Sequence, residues 1–228
     1  MKSDNPSSNV LRLSKNPSGR DFVVGDIHGC FDLLKTRLRK LGFDKHQDRL
    51  ISVGDLIDHG QHNDKVLVWL DKPWFYAVRG NHETLAIQSA KDHRIQSRWY
   101  RKGGAWATQV QKQFLKKLRH ALTDLPFAIE VRTQIGKVGI VHADVPVGLH
   151  WRKFLAALEQ HEHRMIEYAT WGRTRQLDKC TQRIKGVQHV YVGHTPVAKP
   201  TTLGNVTNLD TCAHRSRNLS IVEITSFC

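Results

Sequence analysis

An α/β fold is predicted for this chain of 228 residues. Three observations predict it. Short apolar runs alternate with helical periodicities through the first half of the sequence. Strand-like runs follow one another more closely in the second half. Gly-Asp, Gly-Asn or Gly-His pairs close several of the apolar runs. Such an order suits a mixed sheet system with flanking helices.

Each element has its own signal. Residues 1–19 are polar, with no apolar stretch of the kind a secretory signal needs, and read as a flexible arm. Residues 20–228 read as one domain, since no linker or repeat divides them. Residues 21–25 read as a buried strand. Residues 32–41 read as a helix, with Leu34, Leu38 and Leu41 at i, i+4 and i+7. A strand at 50–53, a helix at 64–70, a strand at 74–78 and a helix at 82–91 repeat the alternation. Gly103-Gly104 marks a loop. A basic amphipathic helix is expected over 105–122, with Val110, Phe114, Leu118 and Leu122 on its apolar side. Residues 128–132 and 137–142 read as a hairpin around Gln134-Ile135-Gly136. Residues 151–170 are helical in pattern, and 189–193, 206–209 and 219–224 are further short strands.

Composition narrows the class. Apolar residues are 39% and charged residues 25%, as in soluble globular proteins. The mean hydropathy is −0.46, and runs such as Phe22-Val23-Val24 are far too short to span a bilayer. Four cysteines occur, Cys30, Cys180, Cys212 and Cys228, with no C-x-x-C pair, so reduced thiols and a cytoplasmic protein are expected. The net charge of +14 points to anionic partners, or to a solvated basic surface.

Three motifs share one grammar: an apolar strand ends, a glycine and an Asp or Asn follow, and the chain turns. They are Val24-Gly25-Asp26-Ile27-His28-Gly29, Val53-Gly54-Asp55-Leu56-Ile57-Asp58 and Arg79-Gly80-Asn81-His82-Glu83. Two later runs end on imidazole, Ile140-Val141-His142-Ala143-Asp144 and Tyr191-Val192-Gly193-His194-Thr195. Ligands gather at the carboxyl ends of strands in α/β proteins, so these loops are expected to converge. Carboxylate and imidazole together suit Mn, Fe or Zn. A bridging carboxylate with terminal ligands on each side is what a two-metal site requires.

These motifs resemble those of the calcineurin-like metallophosphoesterases. The closest likeness is to the bacterial and lambda-phage Ser/Thr protein phosphatases, and it covers about residues 21 to 224. The resemblance implies a two-sheet β-sandwich core flanked by helices and two divalent metal ions, manganese first, with Fe, Zn or Ni as alternatives. It implies that Asp26 and His28 hold the first metal, that Asp55 bridges, and that Asn81, His142 and His194 hold the second. His82 would be the general acid, with Asp58 orienting it. Arg79 and Arg173 would bind phosphate. Phosphorylated proteins would be the substrates.

Two positions depart from the family pattern. His59 stands in Gly54-Asp55-Leu56-Ile57-Asp58-His59-Gly60 where an arginine is usual. An imidazole is a weaker phosphate clamp than a guanidinium fork, and protonation of His59 between about pH 5.5 and 8 is expected to restore part of the contact. Cys212, in Leu209-Asp210-Thr211-Cys212-Ala213, stands where glycine is usual and would be strained if that position needs positive φ. Two other functions compete. One is symmetrical diadenosine tetraphosphate hydrolysis, disfavoured because those enzymes usually carry Asp where Glu83 stands. The other is a weakly active phosphate- or nucleic-acid-binding relative, disfavoured because no nucleic-acid module is recognisable.

Overall fold

A computed structural model describes residues 8–224. Ten strands form two sheets. The first holds β1 (Val10–Leu13), β5 (Ala128–Thr133), β6 (Gly136–Val141), β7 (His189–Val192), β9 (Val206–Asn208) and β8 (Thr201–Leu203), adjacent in that order. The second runs β10 (Ile221–Glu223), β2 (Asp21–Val24), β3 (Arg49–Ser52) and β4 (Phe75–Ala77). Within it β2, β3 and β4 are parallel, as are β6, β7 and β9 within the first sheet.

The period-two pattern of the strands explains the layers. Val23 and Ile51 point inward and pack with Ile129, Val131, Ile140 and Tyr191 of the other sheet, making the core between them. Phe22, Val24 and Leu50 point the other way. They pack under α1 (Phe31–Lys40), α2 (Val66–Leu70), α3 (Asn81–Gln88), α4 (His93–Arg101) and α5 (Lys112–Thr123). On the outside of the larger sheet, Val141, Val190 and Val206 pack under α6 (Trp151–Glu159) and α7 (His163–Trp171). Two short helices, α8 (Thr174–Leu177) and α9 (Ala213–Ser216), complete the set. The expected helix-flanked sandwich is therefore the architecture found.

Four differences from the sequence expectation have physical causes. The arm read over 1–19 is not loose at its C-terminal end. Residues 10–13 form β1, parallel to β5, with Val10 and Leu13 buried. The pairing partner lies more than a hundred residues away, so no local pattern shows it; residues 1–7 of the expected arm lie outside the described residues. The helix expected over 105–122 is a 3-10 turn at Gly104–Gln109 followed by α5, with Val110 extended between them. The helix expected over 151–170 is broken at His161, which takes a left-handed φ of 58°. Finally, α4 lay in no expected element, because Trp99 is its single buried residue.

Among the described residues no helix is long and apolar enough to cross a membrane. Cys30, Cys180 and Cys212 are free thiols, as expected, and Cys228 lies outside the described residues.

Candidate metal centre

The parallel strands β2, β3, β4, β6 and β7 end on one edge of the sandwich, and the five motif loops meet there. The ligand atoms of Asp26, His28 and Asp55 lie within 4.8 Å of one another, and so do those of Asp55, His142 and His194. Asp55 belongs to both groups. Its Oδ2 faces His28 Nε2 at 3.7 Å, and its Oδ1 faces His142 Nε2 at 3.4 Å. Asp26 accepts from the backbone N–H of His194 at 3.0 Å.

Hydrogen bonds at the far side of the rings fix which nitrogen is free. His28 Nδ1 donates to Ile57 O at 2.9 Å, and His142 Nδ1 donates to Val53 O at 2.9 Å. Each ring therefore turns a bare Nε2 to the cleft. Arg173 Nε donates to His194 Nε2 at 3.1 Å, which puts the proton of that neutral ring on Nδ1. Asn81 Oδ1 lies 2.9 Å from His142 Nε2. Two lone pairs face each other there, an arrangement that a shared cation makes favourable.

Burial perturbs every group in the cluster. It raises Asp26 well above the usual carboxylate range, with Asp210 and Asp55 adding to the effect. It raises Asp55 to about 8, against the opposing charge of His82. It depresses His28 well below its ordinary value, His142 to about 3 and His194 to about 2. Crowded buried carboxylates beside unprotonated imidazoles cost free energy as a bare cluster. Divalent cations relieve that cost, so the residues present fit the two-metal centre the family implies.

The loops are held in unusual backbone conformations. His28, Asp55, Asp58, His59 and His194 all take positive φ. Such strain persists only where neighbours over-determine it. Glu83 is one such neighbour: its carboxylate accepts from the backbone N–H groups of Asp55, Leu56 and Gly80 at 2.8–2.9 Å. Gly80 is another. A Cβ there would sit 2.2 Å from Asp55 Oδ1, so only glycine lets the two loops touch.

His82 lies beside the cluster. Its Nδ1 donates to Asp58 Oδ2 at 2.6 Å, and its Nε2 lies 3.9 Å from Asp55 Oδ2. Burial alone would lower its pKa, but the charges of Asp55 and Asp58 and this hydrogen bond outweigh it and raise His82 to about 9. Two indoles also serve Asp58: Trp99 Nε1 donates to Oδ2 at 2.8 Å and Trp106 Nε1 to Oδ1 at 2.7 Å. Sequence reasoning missed Trp99, Trp106 and the clamping role of Glu83. The signal available for the first two was a pair of tryptophans flanking Gly103-Gly104.

The cleft of about 170 Å³ is lined by His28, Asp55, His82, Arg173 and His194, as expected, and also by His59 and Cys212. Arg79 is not among its lining. Its guanidinium lies 4.5 Å over the Phe127 ring and donates to Thr123 O, while its backbone N–H donates to Pro126 O at 2.7 Å. The guanidinium of Arg79, expected to bind phosphate, is turned in this arrangement to the 123–127 turn, which offers it a carbonyl and a ring face. His59 stacks on His214 at 4.6 Å and touches His28 and His82 edge-on. Burial and the neighbouring imidazoles of His82 and His214 push it down to about 4, below the range of pH 5.5 to 8 expected for it. Cys212 has φ 58°, so the position does require positive φ. Burial and the charge of Asp210 raise its thiol, which disfavours the reactive thiolate.

Residues 22–198 match the model of the calcineurin-like phosphoesterase family, and the chain belongs to that family. It is accordingly a hydrolase. It is 36% identical over 207 residues to Serine/threonine-protein phosphatase 1 of Salmonella typhimurium, spanning 89% of this chain and 91% of that one. It is 33% identical over 229 residues to Serine/threonine-protein phosphatase 2 of Escherichia coli, spanning 96% and 99%. A symmetrical bis(5'-nucleosyl)-tetraphosphatase of Hamiltonella defensa is 43% identical over only 84 residues, 32% of this chain. Among solved structures, a yeast protein serine/threonine phosphatase superposes with a TM-score of 0.62 at 14% identity, covering 95% of this chain and 84% of that one.

Proposed function

We propose that this chain is a metal-dependent phosphomonoesterase that hydrolyses phosphoserine and phosphothreonine in proteins. The observation that carries the reading is the split of Asp55, whose two carboxylate oxygens face two separate sets of donors. In this reading Asp26 and His28 would hold one cation, Asn81, His142 and His194 the other, and Asp55 would serve both. When bound, two divalent cations acidify water to give a nucleophile near neutral pH and offset charge on the phosphoryl oxygens. Manganese is the resident metal proposed, as the resemblance to the bacterial phosphatases implies; the mixed oxygen and nitrogen donors suit it as they suit Fe or Zn.

The chain's own residues do the rest. Arg173 lines the cleft and binds phosphoryl oxygen. His82 donates the proton that the leaving alkoxide requires, from Nε2, because Asp58 holds Nδ1. His59 contributes a neutral donor where a guanidinium would give a charge-assisted fork. A cytoplasmic location is proposed with this reading, consistent with the free thiols.

A protein substrate is favoured over a dinucleotide because the phosphatase relatives match nearly the whole chain at 33–36% identity, whereas the tetraphosphatase relatives that match 83% of it are 24–25% identical. Assay of metal-stripped protein with Mn restored, on a phosphoserine peptide and on diadenosine tetraphosphate, tests the reading. Restored activity with preference for the peptide is expected, with Asp55→Asn reducing it about ten- to a hundredfold, roughly the loss of a charge-assisted contact. A clear preference for the dinucleotide would overturn it.

A further inference from the structure

We propose that Trp99 and Trp106 are positioning residues for proton donation: their indole N–H groups fix the Asp58 carboxylate, which in turn aims His82 at the leaving oxygen. The inference rests on the reading of His82 as the general acid.

The Asp58 side chain is wholly buried, and three donors reach it. His82 Nδ1 and Trp99 Nε1 both meet Oδ2, at 2.6 and 2.8 Å, while Trp106 Nε1 meets Oδ1 at 2.7 Å. The backbone N–H of Asp58 is held separately by Asn63 Oδ1 at 2.7 Å. The carboxylate therefore cannot rotate without breaking a hydrogen bond at one oxygen or the other. A carboxylate held by His82 alone would keep that freedom, and the ring would swing with it.

The chemistry of the two extra donors matters as much as their number. An indole N–H donates, accepts nothing, and carries no charge. Among the described residues, His82 is the sole basic side chain paired with Asp58. A lysine or arginine in place of either indole would hold the carboxylate equally well. It would also compete with the imidazolium for its negative charge. Two tryptophans instead anchor Asp58 and leave that charge to His82. As the oxygen of water bonds to phosphorus and the ester P–O bond breaks, the Nε2 proton passes to the leaving ester oxygen and the imidazole becomes neutral.

The local fold is shaped for this contact. Trp99 comes from α4 and Trp106 from the 3-10 turn that follows, and the rings meet edge-to-face at 6.2 Å. The turn between them brings the backbone of Gly104 against the Trp99 indole. A Cβ there would lie 2.5 Å from Trp99 Nε1, so a side chain would push the donor off Asp58.

The test uses leaving-group dependence, which a purely structural role would not move. A phosphoserine peptide expels a strongly basic alkoxide and needs the acid. p-Nitrophenyl phosphate expels a weakly basic phenolate and needs it much less. The Mn-loaded full chain, Trp106→Phe, Trp99→Phe and His82→Asn are assayed on both substrates. Trp106 is half-buried, so its Phe variant keeps the measurement available if Trp99→Phe, in the core, does not fold. Each foldable Trp variant is expected to lose about tenfold in kcat on the phosphoserine peptide, the worth of one hydrogen bond to a charged group, and distinctly less on p-nitrophenyl phosphate. His82→Asn is expected to show the same bias, more strongly. Equal losses on both substrates, or no loss, in Trp106→Phe while His82→Asn keeps its bias would overturn the proposal. Absence of bias in His82→Asn would overturn the acid reading itself, which is a separate result.

Discussion

Glu83 accepts from backbone N–H groups of Asp55 and Leu56 in the second motif loop and of Gly80 in its own, and nothing about its position in Arg79-Gly80-Asn81-His82-Glu83 discloses that its carboxylate is turned inward. The residue is fully buried. Replacing it with glutamine keeps the shape but puts an amide N–H against backbone N–H donors. Glu83→Gln should therefore lower stability by about 1.5–3 kcal/mol, the range for hydrogen bonds to a charged group, read as a lower urea midpoint. Because Asp55 N is one of the orphaned donors, Mn affinity measured by calorimetry should weaken in the same variant. An unchanged midpoint would show that Glu83 is not the clamp described. The two departures at this scale have different outcomes. Cys212 does occupy a left-handed position, as its place in the motif suggested. His59 packs among three other imidazoles, and burial together with the charges of His82 and His214 pushes its pKa down to about 4.

At the scale of elements, β1 shows what a short segment contributes. It is four residues long, yet it covers the edge of β5 and buries Val10 and Leu13. Asn9 anchors its start, donating from Nδ2 to Leu158 O at 2.7 Å. Removing residues 1–13 would delete Val10 and Leu13 from the core and expose the apolar surface they cover, at about 1.5–3 kcal/mol for each side chain lost, an upper estimate because the unfolded chain is not fully extended. It would also expose β5 as an unprotected edge carrying Ile129 and Val131. The truncated protein should unfold at lower urea concentration and self-associate in sedimentation velocity. A truncation that leaves both unchanged would mean that β1 is dispensable. The basic helices α4 and α5 behave differently. Few of their residues are buried, and what α4 supplies is Trp99 rather than a large apolar face.

Across the whole molecule, the sequence disclosed what is encoded locally and concealed what is encoded by approach. The turns after β2, β3, β4, β6 and β7 each carry a ligand type beside a small residue, so the centre could be read from five short stretches. Asp58 meets Trp99 and Trp106 across separations of 41 and 48 residues, and β1 meets β5 across more than a hundred, so periodicity could show neither. The net charge of +14 was the least specific signal, and the fold gives part of it a place. Lys102, Arg173 and Arg215 line the cleft, and Lys102 Nζ and the Arg98 guanidinium lie over the Trp171 ring at 5.8 and 4.9 Å. A phosphopeptide with acidic neighbours would meet a positive field there. A carboxylate about 10 Å from one such charge gains about 0.4 kcal/mol in water. Inverting two of them, in Lys102→Glu with Arg215→Glu, changes that by about 1.6 kcal/mol. KM for an acidic phosphopeptide should then rise about tenfold at low ionic strength, with kcat much less affected. Near 0.15 M salt, where the Debye length is about 8 Å, most of the difference should vanish. A KM that ignores both the charges and the salt would assign the basic residues to a solvated surface with no part in substrate choice.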